Sequence, residues 1–225
     1  MNQPPAETVR TDAEPPVPSP RSAVIAIAIT AVAVLAVGLT IAWLRSGGAA
    51  EPASQGTELP ETVEVPDLTL TATDGEPFPL VERLRGPVTL LYFGYLNCPD
   101  ACPITMDVLS RALATRAAPV RDQVQVVFVT TDPDRDRPTD IRRYLDQFDK
   151  SFIGLTATPE DLAMLQNSLL SPVAVPERPD ADGDYLVGHA TAVYVFTPDG
   201  IARERYPFGT RQADWERIIG DYVDA

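Results

Sequence analysis

Side chains that bind soft metals or carry redox chemistry are scarce in this sequence. Its 225 residues include two cysteines, Cys98 and Cys102, and a single histidine, His189. A structural zinc site normally takes four protein ligands, and the sequence has only three of the usual nitrogen and sulfur type. Any soft-metal or thiol chemistry must therefore centre on these three residues.

Positive charge is also in short supply. The chain has 18 basic and 32 acidic side chains, a formal charge of −14, and Lys150 is its one lysine. Proteins that bind nucleic acids need clustered lysine and arginine to neutralise phosphates. The composition therefore argues against nucleic-acid binding.

One long stretch has no charge at all. Residues 23–44 are 22 uncharged, mostly apolar residues between Arg21 and Arg45. As a helix they would extend about 33 Å, enough to cross the apolar core of a bilayer. A cleavable signal peptide, with Ala49-Ala50 as a cleavage site, is the alternative, but its apolar core is usually only about 7–15 residues long. The run therefore predicts one uncleaved transmembrane helix.

Charge and composition around this helix predict the remaining organisation. Arg10 and Arg21 precede the helix and Arg45 follows it, which favours a cytoplasmic N-terminus and an extracytoplasmic C-terminal domain in a bacterial cell membrane. Residues 1–22 are proline-rich and are expected to be disordered. Residues 45–58 are rich in small residues and predict a flexible linker, so the folded domain is expected at 59–225.

Strand and helix patterns alternate within this domain. Continuous apolar runs predict buried strands at Pro87–Tyr95 and Val124–Thr130. Shorter extended segments are predicted at 65–71, near Phe78, at 152–155, and as a hairpin of 191–196 with 201–206. Helical spacing is found after Pro103, around 141–148, at 160–170 and at 211–223. This order predicts an α/β, thioredoxin-like fold: a central mixed sheet flanked by helices and preceded by the transmembrane helix.

The two cysteines follow the first buried strand. Pro99 and Pro103 favour a loop that leads into a helix, which places Cys102 at the helix N-terminus. Free N–H groups and the helix dipole there favour a thiolate. A structural disulfide or two buried apolar cysteines are the alternative readings. A disulfide that closes so short a loop stabilises a fold little, and the position at a strand end favours reactivity.

His189 is expected to lie near the cysteines, because it precedes a strand expected to face the same end of the sheet. Gly188 beside it would let the backbone pass close to another group. A carboxylate could complete a zinc site, but Cu(I) accepts two or three soft ligands readily. Cys98, Cys102 and His189 therefore point to a copper site.

Three motifs resemble those of the SCO/SenC family, the assembly factors of cytochrome c oxidase. They are Tyr92-Phe93-Gly94-Tyr95 with Cys98-Pro99-Asp100-Ala101-Cys102-Pro103, then Thr131-Asp132-Pro133-Asp134-Arg135-Asp136, then Gly188-His189-Ala190. The resemblance implies a membrane-anchored copper protein whose ligands are Cys98, Cys102 and His189. It also implies that the protein delivers copper to the dinuclear copper site of oxidase subunit II, with Cu(I) and also Cu(II) as the bound ion. The alternative that it implies is reduction of the cysteines of that site. A copper donor protein is a further expected partner.

The sequence departs from the family pattern at two places. Leu96-Asn97 stands where the family usually has Thr-His, and Gly188 stands where it usually has Asp. The second change removes a carboxylate that could support the histidine ligand. Asp132 and Asp136 have turn and helix-capping roles as one interpretation, and the resemblance suggests one of them as a carboxylate near the metal.

An acidic segment precedes His189. Asp180, Asp182 and Asp184 resemble part of a calcium loop, but the position of its bidentate glutamate is Thr191, which excludes that reading. Residues 171–185 are instead expected to form a mobile acidic loop that covers the site or docks a partner.

Two enzyme classes compete with the copper protein. A thiol–disulfide oxidoreductase would use Cys98 and Cys102 as its redox-active pair. Oxidoreductases of this fold typically have two residues between the cysteines and a cis-proline opposite, whereas this chain has three residues there and His189 in place of the proline. A thiol peroxidase or a scaffold with a structural disulfide is less well supported, so a copper metallochaperone is the leading prediction.

Overall fold

The structure is a computed structural model that describes residues 29–38, 40, 54–60 and 63–224. The predicted tail at 1–22 and most of the predicted linker lie outside these residues. Residues 29–38 and 40, which belong to the predicted anchor, are helical with exposed side chains. Among the residues described, no helix combines the length and apolarity needed to cross a bilayer.

The centre of the main sheet is formed by two long strands. All seven residues of β4 (Val88–Gly94) are buried. This strand runs parallel to β5 (Val124–Thr130) and antiparallel to β9 (Val193–Phe196), and β5 in turn runs parallel to β6 (Ile153–Thr156). Burial on both faces explains why the sequence of β4 is continuously apolar rather than alternating.

Antiparallel strands complete the sheet at its two edges. At one edge β2 (Thr69–Ala72) pairs with β6 and with β3 (Pro77–Pro79). At the other, β10 (Ala202–Tyr206) joins β9 to β1 (Thr57–Glu58), which gives the order β1-β10-β9-β4-β5-β6-β2-β3. The sheet therefore begins two residues before the predicted domain, inside the predicted linker. The mixed, thioredoxin-like sheet is confirmed.

A second, two-stranded ladder lies outside the main sheet. β7 (Val175–Pro176) pairs antiparallel with β8 (Val187–Gly188). The sequence predicts only a loop at 171–185, because two-residue strands have no measurable periodicity. The pairing holds the start of the acidic segment against the residue before His189.

The helices of the domain, in chain order, are α1 (Leu80–Arg83), α2 (Ala101–Ala114), α3 (Ala118–Arg121), α4 (Pro138–Leu145), α5 (Pro159–Ser168) and α6 (Gln212–Val223). Four of them begin with a side-chain cap or a proline. Asp100 accepts a hydrogen bond from the first N–H of α2, Thr158 caps α5, and α3, α4 and α5 have proline among their first two residues.

Two apolar cores lie on the two faces of the sheet. On one face, Tyr92 of β4 packs with residues of α2, α4 and α6. On the other face, Leu91 and Phe93 pack with residues of α1 and α5. Successive residues of a strand point to opposite faces, so β4 contributes to both cores in turn. The loop from β4 to α2 leaves the sheet at its carboxyl end, where α/β folds collect functional groups.

Candidate metal centre

The three predicted ligands come together at the carboxyl end of β4. Cys98 lies in the loop between β4 and α2, Cys102 is the second residue of α2, and His189 directly follows β8. Their sulfur and nitrogen ligand atoms all lie within 4.8 Å of one another. Cys102 and His189 are 87 residues apart in the sequence, yet Sγ and Nε2 are separated by 3.7 Å.

The two cysteines are thiols with opposite pKa shifts. The Cys102 backbone N–H donates to Cys98 Sγ at 3.4 Å. A hydrogen bond from the Cys102 thiol is the main cause that lowers the pKa of Cys98 to about 4, and burial opposes it. That same hydrogen bond, followed by burial, raises the pKa of Cys102. Cys98 therefore gives up its proton first and Cys102 holds the second one.

Space for the Cys102 thiol is provided by Gly94 at the end of β4. A Cβ atom at position 94 would lie 3.0 Å from Cys102 Sγ and closer still to the rings of Tyr92 and Phe128. The thiol is fully buried, and the Tyr92 hydroxyl lies 3.6 Å from its sulfur. Any side chain at position 94 would displace the thiol or these rings.

The imidazole of His189 is fixed in one orientation. Its Nδ1 lies 2.8 Å from the carbonyl oxygen of Ala190. A carbonyl only accepts hydrogen bonds, so this contact assigns the proton to Nδ1 and leaves the Nε2 lone pair facing the thiols. The rings of Tyr92 and Tyr95 meet the imidazole edge-on, with centroids 6.1 and 5.5 Å away.

Gly188 does not have the role expected from the sequence. A Cβ atom there would meet only the carbonyl oxygen of Val175, at 3.6 Å, which is an ordinary contact. The expectation of a close backbone approach at this residue is wrong, because β8 borders only a two-residue partner strand on an exposed edge.

Asp136 supports the loop that carries Cys98. Its Oδ2 accepts hydrogen bonds from the Leu96 backbone N–H at 3.1 Å and from the Thr130 hydroxyl at 2.6 Å. The carboxyl group is almost completely buried, and burial raises its pKa to about 6. Asp136 thus tethers this loop to the end of β5.

Asp132 supports the segment that leads to His189. Its carboxylate accepts from Arg135 Nε at 2.5 Å and from the Tyr185 hydroxyl at 3.0 Å. Arg135 also donates to the Tyr185 carbonyl at 2.8 Å, and its guanidinium carbon lies 3.4 Å from the centre of the Tyr185 ring. Two charge-assisted contacts and a cation–π contact thereby fix residue 185.

Neither aspartate is a candidate ligand. Within the described part of the chain, the only cluster of possible metal ligands consists of the two cysteines and the histidine. Asp136 and Asp132 instead form hydrogen bonds to residues of the two segments that carry the ligands. The sequence motif pointed to these aspartates but not to the supporting roles of Arg135 and Tyr185, although Arg135 lies within the same motif.

The acidic segment forms a hydrogen-bonded turn near the loop that carries Cys98. Asp180 Oδ1 accepts from the backbone N–H groups of Asp182 and Asp184. A cavity of about 500 Å³ lies between this turn and Asn97, the residue before Cys98. The acidic side chains that line it are Glu177, Asp180 and Asp184, with Arg178 as a basic neighbour. The predicted acidic loop therefore lies next to the ligand loop.

The donor set fits a soft, monovalent metal ion. Two sulfurs and one neutral nitrogen make three ligands, which suits Cu(I) better than a four-coordinate structural zinc. Cys102 is fully buried, Cys98 is 9% exposed and His189 is partly exposed, so the site opens on the side of Cys98 and His189. An open side allows an ion to enter and leave.

Sequence comparison identifies the family. Residues 57–224 match the SCO1/SenC family model, so the chain belongs to the SCO1/SenC family. The Stutzerimonas stutzeri protein named "Putative copper-binding protein" is 34% identical over 166 residues, which are 74% of this chain and 80% of the relative. Protein sco1 of Schizosaccharomyces pombe is 33% identical over 61% of this chain, and the match spans only 53% of that relative.

Solved structures share the fold. ScoI of Bradyrhizobium japonicum with copper bound has a TM-score of 0.62 and 28% identity, over 71% of this chain and 99% of that chain. Yeast Sco1 with copper bound has a TM-score of 0.65 and 28% identity, over 72% and 89%. BsSco, described as a member of the Sco family of cytochrome c oxidase assembly proteins, has a TM-score of 0.56 at 21% identity, over 75% and 95%, and supports the fold only.

Proposed function

We propose that this protein is a copper metallochaperone that binds copper through Cys98, Cys102 and His189. The observation that carries the proposal is the convergence of two thiols and one correctly oriented imidazole nitrogen within 4.8 Å. Relatives solved with copper bound share the fold and support the choice of metal. Copper is the cargo of this site, because its open side allows transfer to another protein.

The receiving protein is cytochrome c oxidase subunit II, which takes the copper into its dinuclear copper centre. Membership of the SCO1/SenC family, whose motifs imply a role in oxidase assembly, supports this step. Residues 23–44 would anchor the protein in the cell membrane with the copper domain outside the cytoplasm, close to a membrane-bound oxidase. The acidic turn beside Asn97 would then be part of the docking surface.

Thiol–disulfide exchange is a second candidate function of the same site. The lowered pKa of Cys98 keeps it ionised at neutral pH, and a thiolate is the attacking species in such exchange. Cys102 lies within reach to resolve a mixed disulfide. This activity would reduce the cysteines of the oxidase copper site before copper arrives.

Copper retention by single variants tests the main proposal. The full chain and its His189→Ala, Cys98→Ser and Cys102→Ser variants are loaded anaerobically with Cu(I) and exposed to a competing chelator. Leu186→Ala is the matched control, because Leu186 is 46% exposed in the same segment and is not a ligand. We expect one copper per chain for the wild type and the control, and at least tenfold weaker retention for each ligand variant.

The same samples separate the two functions. If His189→Ala loses copper but still reduces a model disulfide at the wild-type rate, copper binding and thiol exchange are distinct activities of one site. Wild-type copper retention in His189→Ala would overturn the ligand assignment. Failure of the wild type to retain copper would overturn the metallochaperone proposal itself.

A further inference from the structure

Tyr92 contacts two of the three proposed copper ligands at once. It is fully buried in the middle of β4. Its hydroxyl oxygen lies 3.6 Å from Cys102 Sγ, within hydrogen-bonding range for the large sulfur atom. Its ring meets the His189 imidazole at 89°, with centroids 6.1 Å apart.

The surroundings keep the Tyr92 side chain in this place. β4 is paired on both sides, with β5 and with β9, so its backbone is fixed. The Tyr92 ring, the Phe128 ring and the Cys102 thiol converge above Gly94, where even a Cβ atom would clash with all three. The phenol therefore cannot turn away from the sulfur without displacing packed neighbours.

A phenol in this position donates a hydrogen bond. An ordinary tyrosine is protonated at neutral pH, and a thiolate or metal-bound sulfur has no proton of its own to give. The contact between Tyr92 and Cys102 must therefore run from the phenol O–H to the sulfur whenever Cys102 binds a metal ion.

We propose that Tyr92 is a positioning residue that tunes the copper site, through the hydrogen bond from its hydroxyl to the Cys102 sulfur. This inference rests on the proposed copper function. Hydrogen bonds to a ligating sulfur are one of the means by which proteins set redox potentials. The bond stabilises the sulfur electron pairs, which weakens their donation to Cu(II) more than to Cu(I).

The chain supplies a matched test pair. Tyr92→Phe removes the hydroxyl and keeps the ring. Tyr194→Phe makes the same change at another fully buried tyrosine of the sheet, whose hydroxyl has no hydrogen-bond partner among the residues that the structure describes. The full chain and both variants are loaded with Cu(I) and separately with Cu(II). The measurements are the affinity for each ion, the one-electron potential and the thiolate-to-Cu(II) absorption band.

For Tyr92→Phe we expect the affinity ratio of Cu(II) to Cu(I) to rise about two- to tenfold, which is the size of one hydrogen bond. A tenfold rise corresponds to a potential lower by about 59 mV. The absorption band moves to lower energy, because the sulfur electrons are less stabilised. Tyr194→Phe keeps the wild-type values.

Each result has one reading. A wild type that retains neither Cu(I) nor Cu(II) contradicts the proposed function itself. A wild type that retains copper, with Tyr92→Phe indistinguishable from it in affinities, potential and absorption, contradicts only the inference about Tyr92. If Tyr92→Phe does not fold, 3-fluorotyrosine incorporated at position 92 replaces it, since its more acidic hydroxyl is a stronger donor. The potential then rises above wild type if the inference is right and stays unchanged if it is wrong.

Discussion

Asp136 shows how a single buried side chain shapes the metal centre without belonging to it. The residue is 3% exposed, and its carboxyl group accepts hydrogen bonds from both Leu96 of the ligand loop and Thr130 of β5. Burial raises its pKa to about 6, whereas the pKa of an aspartate in an unfolded chain stays near the ordinary value of 3.8. The folded state therefore binds this proton more tightly than the unfolded state does.

This difference predicts a pH effect on stability. The favourable contribution of protonated Asp136 is complete below about pH 4 and is lost as the pH rises through about 6. Asp136→Asn imitates the protonated group and keeps an acceptor oxygen, so it removes this loss. We expect the free energy of unfolding of the variant, relative to wild type, to increase between pH 4.5 and pH 7, as measured by urea unfolding.

Asp136→Ala is the control for the hydrogen bonds alone. It leaves the Leu96 N–H and the Thr130 hydroxyl without this acceptor, and relative to Asp136→Asn it should cost about 1–3 kcal/mol at both pH values, because neither variant titrates at this position. A constant difference between Asp136→Asn and wild type across the pH range would show that this carboxyl group titrates normally.

At the scale of secondary-structure elements, the end of β4 and the start of α2 do most to build the site. β4 ends at Gly94, whose missing side chain leaves room for the thiol of the second residue of α2. The sequence indicated the strand and the helix start, because a continuous apolar run and an early proline are local signals. The contact between Gly94 and Cys102 depends on how strand and helix pack, and no local pattern reports it.

Gly94→Ala tests this packing. The added methyl group would press on Phe128, Tyr92 and the Cys102 sulfur, so we expect a loss of about 1–3 kcal/mol in the free energy of unfolding. Copper retention should weaken as well, because the thiol moves. Chemical unfolding and the chelator competition described above measure the two effects.

Gly188→Ala is the matched control beside the other ligand. Its Cβ would meet only one carbonyl oxygen at 3.6 Å, so stability should stay within about 0.5 kcal/mol of wild type. A Gly94→Ala loss as small as the limit of about 0.5 kcal/mol expected for Gly188→Ala would show that the end of β4 tolerates a methyl group.

At the scale of the whole domain, a bound metal ion would tie together distant parts of the chain. Cys98 and Cys102 follow β4, whereas His189 follows β8 and lies 87 residues after Cys102. An ion that binds the folded state and not the unfolded chain stabilises the fold by mass action.

Copper should therefore raise the thermal unfolding temperature. With free Cu(I) at about a thousand times Kd, the gain is about 4 kcal/mol, less whatever affinity the unfolded cysteines retain. Calorimetry of the wild type with and without Cu(I) measures the shift, and Cys102→Ser should show little of it. An equal shift in Cys102→Ser would place the stabilising ion elsewhere in the protein.

The sequence by itself determined the central strands, the long helices and the identity of the possible ligands. β4 and β5 were predicted from continuous apolar runs, α2 from Pro103 and helical spacing, α4 from helical spacing, and Cys98, Cys102 and His189 from their scarcity and motifs. These signals are local, because a buried strand or a helix start is recognised from a short stretch of neighbouring residues.

Only the tertiary structure decided which groups meet. The pairing of Tyr92 with Cys102, the tethers from Asp132 and Asp136, and the β7–β8 ladder join segments far apart along the chain. Such contacts depend on the packing of whole elements, and packing is fixed by the shape of the complete core rather than by any one stretch of residues.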